Sequence, residues 1–250
     1  MKEERLVIDG RTLSYALEGQ GDPTILLLSG HRTPMANWRA VWPMLTQRAR
    51  VLAYDRPGTG ASDPAGAPQD GARVLATLDA LLDRLDLTGP FLVAAHSLGG
   101  LYANLLARTA PARVAGLALI EAAHPAQAER DLSPGGPVRQ LLRRMTGRGF
   151  MDDPVSEYRG VPATVAQIEE AGPFPPLPLR VVTGARKMPF VPASAFEAHG
   201  RYQRDLASLA PQGEQIVALE SGHLPQLTEP TLVAGVIADL HATLREGGRS

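Results

Sequence analysis

Hydrophobic positions alternate between short unbroken runs and longer stretches with helical spacing. Ile25 to Leu28 is apolar at every position and stops at Ser29-Gly30, the pattern of a strand buried on both faces. Val51 to Tyr54, Phe91 to Ala95, Val114 to Ile120, Leu179 to Thr183 and Gln215 to Leu219 read as further strands. Leu6 to Ile8 and Thr12 to Leu17 flank a turn signal at Asp9-Gly10. Helices are predicted over Trp38 to Gln47, Ala72 to Leu85, Leu98 to Arg108, Ala193 to Leu209 and Thr231 to Leu244. The second of these sets Val74, Leu75, Leu78, Leu81, Leu82 and Leu85 on one face. Strands alternating with helices predict an α/β fold, with a mainly parallel sheet flanked by helices.

The rhythm breaks between residues 125 and 178. That stretch has many prolines, no clear strand, and helix-like pieces at Val138 to Met145 and Ala163 to Ala171. It is too long for a plain loop in a compact domain. The expected organisation is a core of residues 1–124 and 179–250, with 125–178 inserted as a cap over the sheet's active edge. Pro173 to Pro178 reads as a stiff return into the next strand.

Composition narrows the functional classes. The chain has 250 residues, 44% of them hydrophobic and 20% charged, so neither disorder nor a membrane protein is favoured. A net charge of −1 provides no global field for nucleic acid or an anionic membrane. The basic cluster from Arg139 to Arg148 is expected to be a solvated helix face. There are no cysteines, which excludes disulfides, thiolate metal sites and a thiol nucleophile. No apolar run follows the charged start, so no secretory signal is read there, and a cytoplasmic protein is expected.

The chemistry concentrates at a few positions. Ala95-His96-Ser97-Leu98-Gly99-Gly100 joins a predicted strand to a predicted helix. A serine on such a turn is lifted above the sheet on strained backbone, and crowding there requires small residues two before and two after it. Ala95 and Gly99 meet that requirement. The following helix aims its first amides at developing negative charge.

With Leu26 to His31, Tyr54-Asp55-Arg56-Pro57-Gly58-Thr59-Gly60-Ala61-Ser62-Asp63 and Ser221-Gly222-His223, this segment resembles the α/β-hydrolase superfamily over nearly the whole chain. The order and spacing of the four segments carry the resemblance. It implies an α/β-hydrolase fold, Ser97 as nucleophile, His223 as general base, and the backbone N–H groups of His31 and Leu98 as oxyanion donors. The Asp55 to Asp63 turn is given no direct chemistry. The imidazole of His31 is left open between lining the pocket and packing on its loop. His96 is expected to be structural, and His124, His199 and His241 to be surface or packing residues.

The acid departs from the family pattern. The family places it after the strand that corresponds to Leu179 to Thr183, but Gly184 to Pro192 contains no Asp or Glu. Glu121 ends the preceding strand candidate, at the carboxyl edge where ligands gather in open parallel sheets. It is the proposed acid, to orient His223. Its alternative is to cap the loop or pair with Arg113 or Arg130, and Asp63 and Glu220 are weaker rivals. Trp38, Phe150, Met151, Tyr158, Met188 and Phe190 are candidate pocket walls, with core packing as the alternative for each.

The expected function is hydrolysis of an ester-like acyl bond in a small or medium substrate, through a Ser-His-Glu triad and an acyl-enzyme. No cofactor or metal is implied, and the only expected partner is the substrate. Other reactions of the fold (amidase, thioesterase, C–C hydrolase, acyltransferase or lyase) and a ligand-binding receptor are the alternatives. The resemblance ties dehalogenase and epoxide-hydrolase branches to an Asp nucleophile, which Ser97 is not.

Overall fold

A computed structural model describes residues 1–132, 155–189 and 191–247. Within them, eight strands form one sheet in the order β1-β2-β4-β3-β5-β6-β7-β8. These are β1 (Glu4–Ile8), β2 (Arg11–Glu18), β3 (Ile25–Leu28), β4 (Val51–Tyr54), β5 (Phe91–His96), β6 (Val114–Ile120), β7 (Leu179–Gly184) and β8 (Glu214–Ala218). The pairs β1–β2 and β2–β4 are antiparallel, and every pairing from β4 to β8 is parallel. Strands β3 and β4 are buried at all four positions, because helices cover both faces of a parallel sheet.

The helices are α1 (Trp42–Thr46), α2 (Gly71–Arg84), α3 (Gly99–Thr109), α4 (Pro125–Leu132), α5 (Glu157–Glu170), α6 (Ala193–Ala207), α7 (Pro225–Thr228) and α8 (Pro230–Gly247). On one face Val74, Leu78, Leu101 and Leu105 pack against Val93, Leu117 and Val181. On the other, Trp38, Leu45, Val233 and Ile237 pack against Leu27, Ala94 and Ile120. The helix predicted over Trp38 to Gln47 is instead a 3-10 turn, Met35–Trp38, followed by the short α1 with Pro43 in its first turn.

The segment between β6 and β7 departs most from its sequence reading. Helix α5 begins at Glu157, six residues before the predicted Ala163, with Ser156 as its N-cap and Pro162 in its first turns. The helix α4 was not foreseen, and Val138 to Met145 lies outside the described residues. Val161, Val165 and Ile168 join the same core as β5 and β6. Thr164 Oγ1 accepts the Gly71 N–H at 2.8 Å, and Gln167 Oε1 accepts the Ala72 N–H at 3.0 Å. Two orphan amides at the start of α2 are thus satisfied by α5, which docks that helix on the sheet's helical layer. No helix of the described residues is long and apolar enough to cross a membrane.

Candidate active site

The carboxyl ends of β3, β5, β6, β7 and β8 meet at one edge, and the loops leaving them carry the candidate residues. Ser97 follows β5 with φ +52°, in the left-handed region that costs a non-glycine residue free energy. Its N–H donates to Ile120 O at 3.2 Å, and its carbonyl accepts from Ala123 at 2.8 Å and Gly100 at 2.9 Å. The bonds to the end of β6 and the loop after it, with the turn's own bond from Gly100, hold the strained turn. A Cβ on Gly99 would lie 2.6 Å from Leu28 O and 2.8 Å from Ser29 O. The small residue two after the serine is therefore required by contact with the end of β3.

His223 sits in the loop between β8 and α7. Its Nε2 lies 3.1 Å from Ser97 Oγ, and its Nδ1 lies 3.2 Å from Glu121 Oε2. Glu121 follows β6 with φ +46°, a second strained residue at the same edge. Its carboxyl is buried, which alone would raise its pKa, but hydrogen bonds from His199 and His223 overcome this and hold it at about 2. An ionised carboxylate only accepts, so Nδ1 of His223 carries the proton and Nε2 is free to accept from the Ser97 hydroxyl.

His96 serves this arrangement from below. Burial pushes its pKa down to about 3, so the ring is neutral, and Nε2–H donates to the carbonyl of His223 at 2.7 Å. The structural role expected of His96 is thus specific: it pins the backbone of the His223 loop. A Cβ on Gly30 would sit 3.1 Å from both His96 Nδ1 and Ser97 Cβ, so the loop after β3 lies directly against the serine.

That loop is held by a buried charge cluster. Arg56 donates to Ser29 O at 2.8 Å and Gly30 O at 2.7 Å, and through Nε to Glu157 Oε1 at 2.5 Å. Glu157 Oε2 accepts the Arg32 N–H at 2.9 Å and contacts His31 Nδ1 at 3.1 Å. Burial opposes ionisation of Glu157, but the charge of Arg56 and the hydrogen bonds from His31, Arg56 and Arg32 hold its carboxyl well below the usual range. The Asp55 to Asp63 turn thus supports a loop beside Ser97 rather than reaching the reacting atoms. Asp55 itself accepts from the N–H groups of Met35 at 2.6 Å and Ala61 at 3.0 Å.

The side chain of His31 is resolved by the same cluster: its ring is tied to Glu157 and stacks on Tyr158 with centroids 3.8 Å apart. Tyr158 therefore lies beside the loop after β3. Trp38, a pocket candidate with core packing as its alternative, takes the core position. It is fully buried, its indole N–H donates to Ser29 Oγ at 3.1 Å, and it supports the loop from the core. Met188 is exposed on the loop after β7. Phe150, Met151 and Phe190 lie outside the described residues.

The rivals for the acid are engaged elsewhere. Asp63 accepts the Thr12 N–H at 2.7 Å, and Glu220 pairs with Arg186. Arg113, one alternative partner for Glu121, pairs with Asp79. Two contributions escaped the sequence reading. Glu157 gave no signal beyond its place after an N-capping serine. His199, expected at the surface or in packing, instead contacts both oxygens of Glu121 at 3.1 and 3.2 Å. Among the described residues, no group of three or more His, Asp or Glu is arranged to hold a metal ion.

Residues 25–236 match the model of the alpha/beta hydrolase family. The chain belongs to that family. Among solved structures, this alpha/beta hydrolase superposes on a thermophilic esterase from Thermogutta terrifontis with a TM-score of 0.68, at 21% identity over 98% of this chain and 99% of the other. At that identity the likeness concerns the fold. It is 31% identical to a haloalkane dehalogenase of Mesorhizobium japonicum over 172 residues, 66% of this chain and 54% of the relative. It is 37% identical to the dihydrolipoyllysine-residue acetyltransferase component of the acetoin cleaving system of Pseudomonas putida over 121 residues, 48% of this chain and 32% of the relative. The alpha/beta hydrolase thus spans about half or less of the length of these curated relatives.

Proposed function

We propose that this alpha/beta hydrolase cleaves an ester-like acyl bond of a small or medium molecule through an acyl-enzyme on Ser97. The observation that carries the reading is the continuous chain Ser97 Oγ, His223 Nε2, His223 Nδ1, Glu121 Oε2, with links of 3.1 and 3.2 Å. In this reading His223 takes the proton from Ser97 as its oxygen attacks the carbonyl carbon, and returns it to the leaving oxygen. Water then attacks the acyl-serine ester by the same route, and the acid product leaves. Glu121 fixes the tautomer of His223 and offsets the charge it gains. The backbone amides of His31 and Leu98 are assigned to the oxyanion, with Arg56 shaping the loop that presents the first.

The nucleophile selects among the activities in the relatives' names. Displacing halide from a saturated carbon with serine would leave an ether, which water does not cleave under these conditions. A carbonyl substrate instead leaves an ester that the same base hydrolyses. Residues 125–178 are assigned the role of a cap that shapes the substrate cavity, with Tyr158 and Met188 among its walls.

The test is covalent labelling by a fluorophosphonate together with turnover of p-nitrophenyl acetate and butyrate. Ser97→Ala is expected to abolish both. Labelling that persists on another residue of Ser97→Ala would overturn the assignment.

A further inference from the structure

The triad reading gives no part to His199. His199, on α6, contacts the carboxylate of Glu121. Its Nε2 lies 3.1 Å from Oε2 and 3.2 Å from Oε1 of Glu121, and its Nδ1 lies 3.1 Å from Gln127 Oε1. The side chain is mostly buried, as is that of Glu121.

We infer that His199 is a positioning residue that holds the Glu121 carboxylate in line with His223, an inference that rests on the Ser97–His223–Glu121 reading. The argument begins with the acid's place in the fold. Glu121 reaches His223 from β6, and the loop after β7 offers no carboxylate. Its backbone is in the left-handed region, and its contacts fix the terminal carboxylate, whose last torsion is broad. Those contacts are three donors. Gly184 N–H binds Oε1 at 2.8 Å, His223 Nδ1 binds Oε2 at 3.2 Å, and His199 Nε2 bridges the two oxygens. Gly184 alone fixes one oxygen and leaves the carboxylate free to turn about it. The bridging donor sets the plane. An ionised carboxylate accepts, so His199 donates through Nε2, and Nδ1 accepts from the Gln127 amide once its O and N ends are exchanged by a flip, which orients the ring.

Three substitutions separate this role from packing. His199→Phe removes the donor and keeps the ring volume. His199→Gln restores a donor at the level of Nε2, facing Glu121. His199→Asn restores one at the level of Nδ1, facing Gln127. The readouts are the rate of Ser97 labelling by a fluorophosphonate, which needs no knowledge of the substrate, and the downfield NMR resonance of the His223 Nδ1 proton. Melting temperatures establish that each variant is folded.

His199→Phe is expected to slow labelling by up to about 100-fold, the effect of misplacing a catalytic group by about 1 Å. It should also shift or broaden the His223 resonance. His199→Gln should recover most of the rate and His199→Asn should not. In a Glu121→Gln background, His199→Phe should add little, because the two residues act as one unit. Wild-type labelling of Ser97 with no effect of His199→Phe on rate or resonance would overturn this inference and leave the triad reading standing. Rescue by Asn rather than Gln would also overturn it, in favour of a packing role through Gln127. Failure of wild-type Ser97 to label would instead remove the triad reading, and this inference with it.

Discussion

Single residues at the site work under tight geometric limits. Ser97 and Glu121 both occupy the left-handed region, and each is kept there by backbone bonds to a neighbouring segment. Glu121 N–H donates to Val182 O at 2.8 Å, which ties the residue to β7. On the proposed mechanism, Glu121→Gln should lower kcat by about 10³- to 10⁴-fold, because an amide does not hold the reactive tautomer of His223. Ester turnover by Glu121→Gln within a fewfold of wild type would move the acid elsewhere. Gly99 has no room for a side chain, so Gly99→Ala should cost about 1–3 kcal/mol in denaturant unfolding as α3 is pushed from β3. An unchanged midpoint would mean the close approach relaxes freely.

Elements are joined at the site by groups distant in the chain. Glu157 opens α5, Arg56 follows β4, and together they grip the loop after β3. Both charged side chains are buried, so each depends on the other. Glu157→Gln is expected to destabilise by about 3–5 kcal/mol, since it leaves a buried guanidinium without its counter-charge. It should also slow Ser97 labelling more than its loss of stability alone explains, because Arg56 shapes the loop beside the serine. Replacing both residues by apolar ones of similar volume should recover part of the stability and none of the rate. Equal stability of the wild type and Glu157→Gln would show that the pair contributes nothing net.

The whole molecule should record these buried carboxylates in its acid stability. The pKa of Glu121 is lowered to about 2, and that of Glu157 is lowered too. A carboxyl whose folded pKa lies below its unfolded value of roughly 4.3 stabilises the fold fully above that value. For Glu121 the contribution is lost as pH falls from roughly 4.3 through about 2. Thermal melts from neutral pH to pH 2 should therefore show the gap between wild type and Glu121→Gln narrowing in the acid range. A gap that is constant across that range would mean that Glu121 has the same pKa folded and unfolded.

The sequence by itself determined the α/β architecture. Unbroken apolar runs such as Ile25 to Leu28 must be buried on both faces, and helical stripes such as Val74 to Leu82 must cover them. It also singled out Ser97 and Glu121, because a strand-to-helix turn and a strand end bring chosen residues to one edge of a parallel sheet, and His223 through the resemblance to the family. Only the tertiary structure decided what surrounds them. His199 lies 78 positions from Glu121, and Glu157 lies 101 from Arg56. Nothing local distinguishes a buried, paired glutamate or histidine from a solvated one on a helix face. Trp38 shows the converse: an aromatic residue near the site reads equally as pocket wall or core until its indole is seen on Ser29. Periodicity reports which face of an element is buried. Which charged groups meet there depends on how separate elements dock, and that is set by the packing of the whole chain.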